Sequence, residues 1–115
     1  MLKILVIDDE KELVELYRDI LSSKNRKIVT SSSGDGGIKL LQQEHFDLVL
    51  SDKKMGKVSG LEVLDFVESN SPTTVFFLIT GDSSKEINFK NEKSKLIRKP
   101  FSFQELNKII VKLEH

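Results

Sequence analysis

The residues of this chain best suited to chemistry are three acids, a hydroxyl and a lysine, each set at the end of a short apolar run. Asp8 and Asp9 follow Ile4-Leu5-Val6-Ile7, and Asp52 follows Leu48-Val49-Leu50-Ser51. Thr80 follows Val75-Phe76-Phe77-Leu78-Ile79, and Lys99-Pro100 follows Leu96-Ile97-Arg98. Short apolar runs separated by helical patterns read as buried parallel strands. In an open parallel α/β sheet the carboxyl ends of the strands line one edge, and ligands bind along it. Three carboxylates, a hydroxyl and an ammonium are therefore expected to converge on one small site, suited to holding a divalent cation and a phosphoryl group.

Strands and helices must alternate to bring these groups together. After the first strand, Leu13, Leu16, Tyr17, Ile20 and Leu21 recur at helical spacing and predict one apolar stripe. Residues 26–30 predict a second strand, polar enough for a sheet edge because only Ile28 and Val29 are strongly apolar. Ile38, Leu40 and Leu41 mark a second helix, weakened at its start by Gly34, Gly36 and Gly37. The segment Gly34-Asp35-Gly36-Gly37 lacks the dinucleotide fingerprint and the Walker spacing with its lysine, so it reads as a helix start and not as a phosphate cradle. The third strand ends at Asp52. Val63, Leu64 and Val67 give a third helical stripe, opened by Ser59 and Glu62 at capping-box spacing and closed before Pro72. The last helix opens on Ser102 and Glu105 at the same spacing and buries Leu106, Ile109, Ile110 and Leu113. Between Thr80 and the fifth strand a helix should cross over, yet Gly81 to Ser94 offers only Ile87 and Phe89 as apolar anchors. That crossover is expected to be short, poorly anchored or partly irregular.

Composition narrows the function. A chain of 115 residues, 38% hydrophobic and 31% charged, suits a single folded domain with one core, and no repeat or linker divides residues 1–115. Net charge is +0, which removes the global electrostatic case for direct nucleic-acid or membrane binding. Cysteine is absent, which excludes disulfides, thiol catalysis and cysteine-ligated metal, and fits a cytoplasmic location. No signal peptide is visible and no apolar run approaches the length of a membrane span. Leu113-Glu114-His115 match the start of a common vector-encoded histidine tail, so these residues read equally as native or as vector-derived.

Each candidate taken alone has a plainer reading. Asp8 and Asp9 could cap a helix, a role compatible with metal binding. Thr80 is a good strand former, Gly81 suits a turn, and Lys99 could be a surface lysine at a strand end. Lys53, Lys54 and Lys57 form a small basic cluster that reads more readily as a solvated loop than as an attractor for a phosphorylated partner. Their order and spacing together carry more. The acid pair Asp8-Asp9 with Glu10, Asp52 followed by Met55 and Gly60, Thr80 followed by a small residue, and Lys99-Pro100-Phe101 resemble the receiver domain of two-component response regulators, over essentially the whole chain.

The resemblance implies a doubly wound α/β fold, with a five-stranded parallel sheet in the flavodoxin-like order 2-1-3-4-5 and helices on both faces. It implies that Asp52 accepts a phosphoryl group from a sensor histidine kinase or histidine phosphotransfer protein, as an acyl phosphate that is later hydrolysed slowly. Mg²⁺ is the implied cofactor, with Asp9 and Asp52 as direct ligands, Asp8 acting mainly through water, and the backbone carbonyl of Lys54 supplying a further oxygen. Lys99 and the Thr80 hydroxyl would meet the phosphoryl oxygens, the Lys99-Pro100 bond being usually cis in the family, and Gly81 would leave the site open to the donor. Such a domain is a signalling switch acting on a downstream protein or fused domain, and not a turnover enzyme. The chain departs from the family pattern at Gly56, where proline is usual, at Leu96, where an aromatic residue often reports phosphorylation, and in the short Thr80-to-Lys99 interval, which should shorten the crossover helix. Leu96 and the short crossover favour an alternative, a receiver-like module that signals by docking without phosphorylation, while the intact Asp8, Asp9, Asp52, Thr80 and Lys99 argue against it. A metal-dependent phosphatase is disfavoured, because Lys54 stands where its second acid would be.

Overall fold

The apolar runs become the sheet. A computed structural model describes residues 1–82 and 87–114. Its strands are β1 (Leu2–Ile7), β2 (Arg26–Ser31), β3 (Leu48–Asp52), β4 (Val75–Thr80) and β5 (Lys95–Arg98). All neighbours pair in parallel, in the order β2-β1-β3-β4-β5 expected from the sequence. The helices are α1 (Lys11–Leu21), α2 (Gly34–Gln43), α3 (Gly60–Asn70) and α4 (Phe103–Leu113). No helix among the described residues is long and apolar enough to cross a membrane.

Alternation along the buried strands divides the core into two layers, because successive side chains leave opposite faces of a sheet. Ile4, Val6, Leu48, Leu50, Val75, Phe77 and Ile79 face one side and meet Tyr17 and Leu21 of α1 and Leu106 and Ile110 of α4. Leu5, Ile7, Val49, Phe76 and Leu78 face the other and meet Val63, Leu64 and Val67 of α3, with Ile38, Leu40 and Leu41 of α2 alongside. β4 is buried at all six positions, as a strand covered on both faces must be. β2 and β5 form the edges.

Three expectations need adjusting. The stripe on α1 is narrower than its periodicity: Val14, Tyr17 and Leu21 are buried, whereas Leu16 and Ile20 are more than two-fifths exposed. A helix lying on a sheet buries one line of contact, and Leu16 and Ile20 lie to the side of it. The interval from Gly81 to Ser94 holds no helix among its described residues; positions 83–86 lie outside them. Ile87 and Phe89 do pack against the second core layer, together with Leu96. Arg26, the first residue of the polar edge strand, is buried, its guanidinium held by Glu114 at 2.7 Å, Asn107 at 2.6 Å and the Leu21 carbonyl at 3.3 Å. This cluster ties β2 to the ends of α1 and α4.

Serine caps set the other helix starts. Ser33 accepts from Gly36 N, Ser102 accepts from Glu105 N, and Ser59 with Glu62 closes a full capping box. The glycine-rich start of α2 is thus a helix terminus, in line with its sequence. Gly60, the first residue of α3, is a glycine for want of space: a Cβ there would lie 2.3 Å from the Asp52 carbonyl oxygen and 2.9 Å from Lys53 Cα. The obstacle is backbone that cannot step aside. Gly60→Ala is expected to cost about 1–3 kcal/mol, as overpacking does, and to shift the segment that carries Asp52. A denaturation midpoint equal to that of the unsubstituted protein would contradict this.

Candidate functional site

Strand register brings the acids to one level. Ile7 pairs with Ser51 and Asp52 pairs with Ile79, so the residue after Ile7 and the residue after Ser51 emerge side by side at the carboxyl edge. Asp8, Asp9 and Asp52 each offer one carboxylate oxygen, and the three lie within 4.8 Å of one another. Asp8 is buried, Asp52 is half-buried and Asp9 is exposed. Asp8 Oδ1 accepts a hydrogen bond from Glu10 N at 2.9 Å, just ahead of α1. The N-cap of α1 is Glu10, with no side-chain cap hydrogen bond, so neither Asp8 nor Asp9 caps that helix as their position could have allowed.

Burial pushes the Asp8 carboxyl up from 3.8 to about 6. The Glu10 N–H and Lys99 hold it down, and the Asp52 and Asp9 charges push it further up. A carboxylate under such pressure is relieved by a cation. Hard divalent cations take carboxylate oxygens, so the donor set fits one.

Lys99 leaves the end of β5 ahead of a cis Lys99-Pro100 peptide, and its Nζ lies 3.0 Å from Asp52 Oδ1. Burial alone would lower the Lys99 ammonium, but the hydrogen bond and charge of Asp52, with Asp8 and Glu10, raise it above 10.5. Lys99 is therefore charged and set beside Asp52. Thr80, buried at the end of β4, donates its hydroxyl to Asp82 Oδ1 at 3.0 Å and accepts from Asp82 N at 3.2 Å. Lys53 Nζ lies 3.2 Å, and Lys54 Nζ 3.8 Å, from Asp82 Oδ2. Asp52, Lys53, Lys54, Thr80, Gly81, Asp82 and Lys99 line an open cleft of about 290 Å³.

Every site residue expected from sequence is thus at this edge. Asp82 joins them without having been expected, because it lies two residues beyond the end of β4 at Thr80, outside the apolar run that points to the edge. The signal that could have found it is an acid close to the lysine pair Lys53-Lys54 in a parallel fold. Lys53 is also no plain solvated lysine, being engaged with Asp82 and largely covered. Gly81 is less constrained than expected, since a Cβ there would lie 3.9 Å from Lys99 Cδ, an ordinary contact distance.

Known proteins share this fold. The profile of the response regulator receiver domain matches residues 4–111. The transcriptional regulatory protein YvrH of Bacillus subtilis is 31% identical over 106 residues, which are 90% of this chain and 45% of YvrH. The alkaline phosphatase synthesis transcriptional regulatory protein PhoP of the same species is 28% identical over 108 residues, again 45% of its length. The chain therefore spans less than half the length of these curated relatives. Among solved structures, the response regulator protein TrrA of Thermotoga maritima, in complex with Mg(2+)-BeF, superposes with a TM-score of 0.84 at 30% identity, covering 98% of this chain and 99% of that one.

Proposed function

The chain belongs to the family of response regulator receiver domains, and on that premise we propose that it is a phosphoryl-accepting switch whose acceptor is Asp52. The observation that carries this reading is the convergence of Asp8, Asp9 and Asp52 within 4.8 Å, with Lys99 Nζ 3.0 Å from Asp52. An Asp52 carboxylate oxygen attacks the phosphorus of a phosphohistidine on a sensor histidine kinase or histidine phosphotransfer protein. The new P–O bond forms as the P–N bond breaks, and the imidazole leaves and takes up a proton. Water later attacks the acyl phosphate, releasing inorganic phosphate and restoring Asp52.

Asp9 and Asp52 would hold Mg²⁺ directly, with Asp8 acting through water and the Lys54 backbone carbonyl completing the protein's contribution. Bound Mg²⁺ supplies neutralisation of charge on the phosphoryl oxygens. Lys99 follows the charge from Asp52 to those oxygens, and Thr80 turns its hydroxyl from Asp82 toward them. The donor is a protein partner, so the domain switches and does not turn over substrate. Its output is a downstream protein or fused domain; the names of its relatives favour a transcriptional one in the whole protein, acting in the bacterial cytoplasm.

Incubation with Mg²⁺ and acetyl phosphate, followed by intact mass measurement, tests the reading. The expected product is one phosphoryl adduct that disappears on standing. An unchanged mass under saturating donor would leave the second reading, docking without phosphorylation, which the non-aromatic Leu96 and the short crossover favour.

Asp82 gives a further prediction. It occupies the Thr80 hydroxyl and sits beside Lys53 and Lys54, all groups that an incoming phosphoryl group would use. Asp82→Ala is expected to speed phosphorylation by acetyl phosphate about fivefold, matching a like-charge repulsion of ~1 kcal/mol at ~5 Å near water. The gain should shrink in high salt. A slower rate in Asp82→Ala would mean that Asp82 assists the reaction.

A further inference from the structure

Tyr17 is almost fully buried on α1, yet its hydroxyl has no hydrogen-bond partner among the described residues. Buried hydroxyls are normally satisfied, and an orphan needs a reason. Its direction supplies one. Helical side chains lean toward the N-terminus of their helix, and α1 begins at Lys11, directly after Asp8-Asp9-Glu10. The Tyr17 ring therefore leans from the second turn of α1 back toward the carboxylate edge. Burial first, then the Asp8 and Asp52 charges, raise its hydroxyl above the ordinary value of 10.

The other edge of the ring faces α4. Tyr17 packs edge-on against Phe103 at 5.4 Å between centroids, and Phe103 packs edge-on against Phe101 at 5.8 Å. Phe103 opens α4, and Phe101 follows the Lys99-Pro100 pair whose lysine meets Asp52. One aromatic file thus links α1 with the first turn of α4 and with the segment that follows Lys99-Pro100. Leu96, by contrast, lies on the opposite face of the sheet.

We propose that Tyr17 is a positioning residue that senses divalent-cation occupancy of the Asp8, Asp9 and Asp52 site and passes it to the junction of α1 with α4. The cation draws the carboxylates together, one of them accepts the orphaned hydroxyl, and the ring shifts against Phe103. This inference rests on the reading of the three acids as a metal site.

The chain contains one tyrosine and no tryptophan, so tyrosine fluorescence and near-ultraviolet dichroism report on this residue with little interference. A Mg²⁺ titration of the full chain is expected to change that signal with the same dissociation constant that the dependence of the melting temperature on Mg²⁺ concentration yields. Tyr17→Phe should fold, be more stable without metal, and bind Mg²⁺ about fivefold more weakly, the loss of one neutral hydrogen bond. A melting-temperature rise with a flat tyrosine signal overturns the role of Tyr17 and leaves the metal site standing. Tyr17→Phe binding Mg²⁺ as tightly as the unsubstituted protein would overturn that role equally. Mg²⁺ without effect on either measure overturns both. Should Tyr17→Phe fail to fold, the titration of the unsubstituted chain decides by itself.

Discussion

Asp52→Asn is expected to give no phosphoryl adduct with acetyl phosphate and Mg²⁺, under conditions that label the unsubstituted chain. An amide keeps the shape of the side chain but lacks the anionic oxygen that must form the P–O bond. Misfolding is not expected to explain the loss. The substitution sacrifices the ion pair with Lys99 at 3.0 Å, but it also removes repulsion with Asp8 and Asp9. That repulsion is worth up to about 4 kcal/mol per pair at ~4 Å and an effective dielectric of ~20. Intact mass reads the adduct and far-ultraviolet dichroism reads the fold. Labelling that persists in Asp52→Asn would remove Asp52 from the role of acceptor, and labelling that survives EDTA would remove the dependence on Mg²⁺.

The second large effect concerns Asp8, Mg²⁺ and pH. The Asp8 carboxyl titrates near 6 in the folded chain against 3.8 ordinarily, chiefly because it is buried. The folded state therefore binds this proton more tightly than the unfolded state, and stability from this group falls as pH rises through 6. At about 1.4 kcal/mol per tenfold change in proton affinity, the ionised form costs the metal-free fold about 3 kcal/mol at neutral pH. Metal-free stability should accordingly increase as pH drops from 7 toward 5, and Asp8→Asn should flatten that rise. Mg²⁺ needs the ionised acids, so it should act in the opposite sense. A hundredfold excess over its dissociation constant adds about 2.7 kcal/mol, and this increment should shrink below pH 6 as protons compete. Denaturation curves at pH 5 to 8, with and without Mg²⁺, test both slopes. A Mg²⁺ increment independent of pH would show that Asp8 does not help hold the cation.

The sheet and the acid cluster are legible in the sequence because both follow from period and position. Apolar runs of four to six residues mark strands covered on both faces, and in a parallel sheet the next residue must appear at the ligand edge. Asp8, Asp9, Asp52, Thr80 and Lys99 obey that rule, and the capping spacings at Ser59 and Ser102 place two helix starts. Periodicity is less informative where a helix lies against a sheet, since Leu16 and Ile20 share the rhythm of Tyr17 and Leu21 but not their contacts. Asp82 and the Arg26 cluster depend on tertiary approach. Nothing local in the sequence marks Arg26 as an arginine held by Glu114, 88 residues away. The weakness of the crossover is legible too, since two anchors separated by a polar residue cannot define a helical face.

The order of the strands also governs how the molecule resists self-association. β4, Val75-Phe76-Phe77-Leu78-Ile79-Thr80, has no charge, no proline and high strand propensity, the composition of segments that stack into fibrils. In the native sheet it is shielded on one side by β3 and on the other by β5, which is only four residues long. β5 carries exposed Lys95 and Arg98, and β2 at the opposite edge carries exposed Lys27, so both open edges present cations that discourage strand addition. Detachment of β5 would strip that protection and offer the backbone of β4 to a second molecule. β5 therefore covers the most aggregation-prone strand, and a lysine-to-neutral change at Lys95 would remove one of the cations that guard that edge.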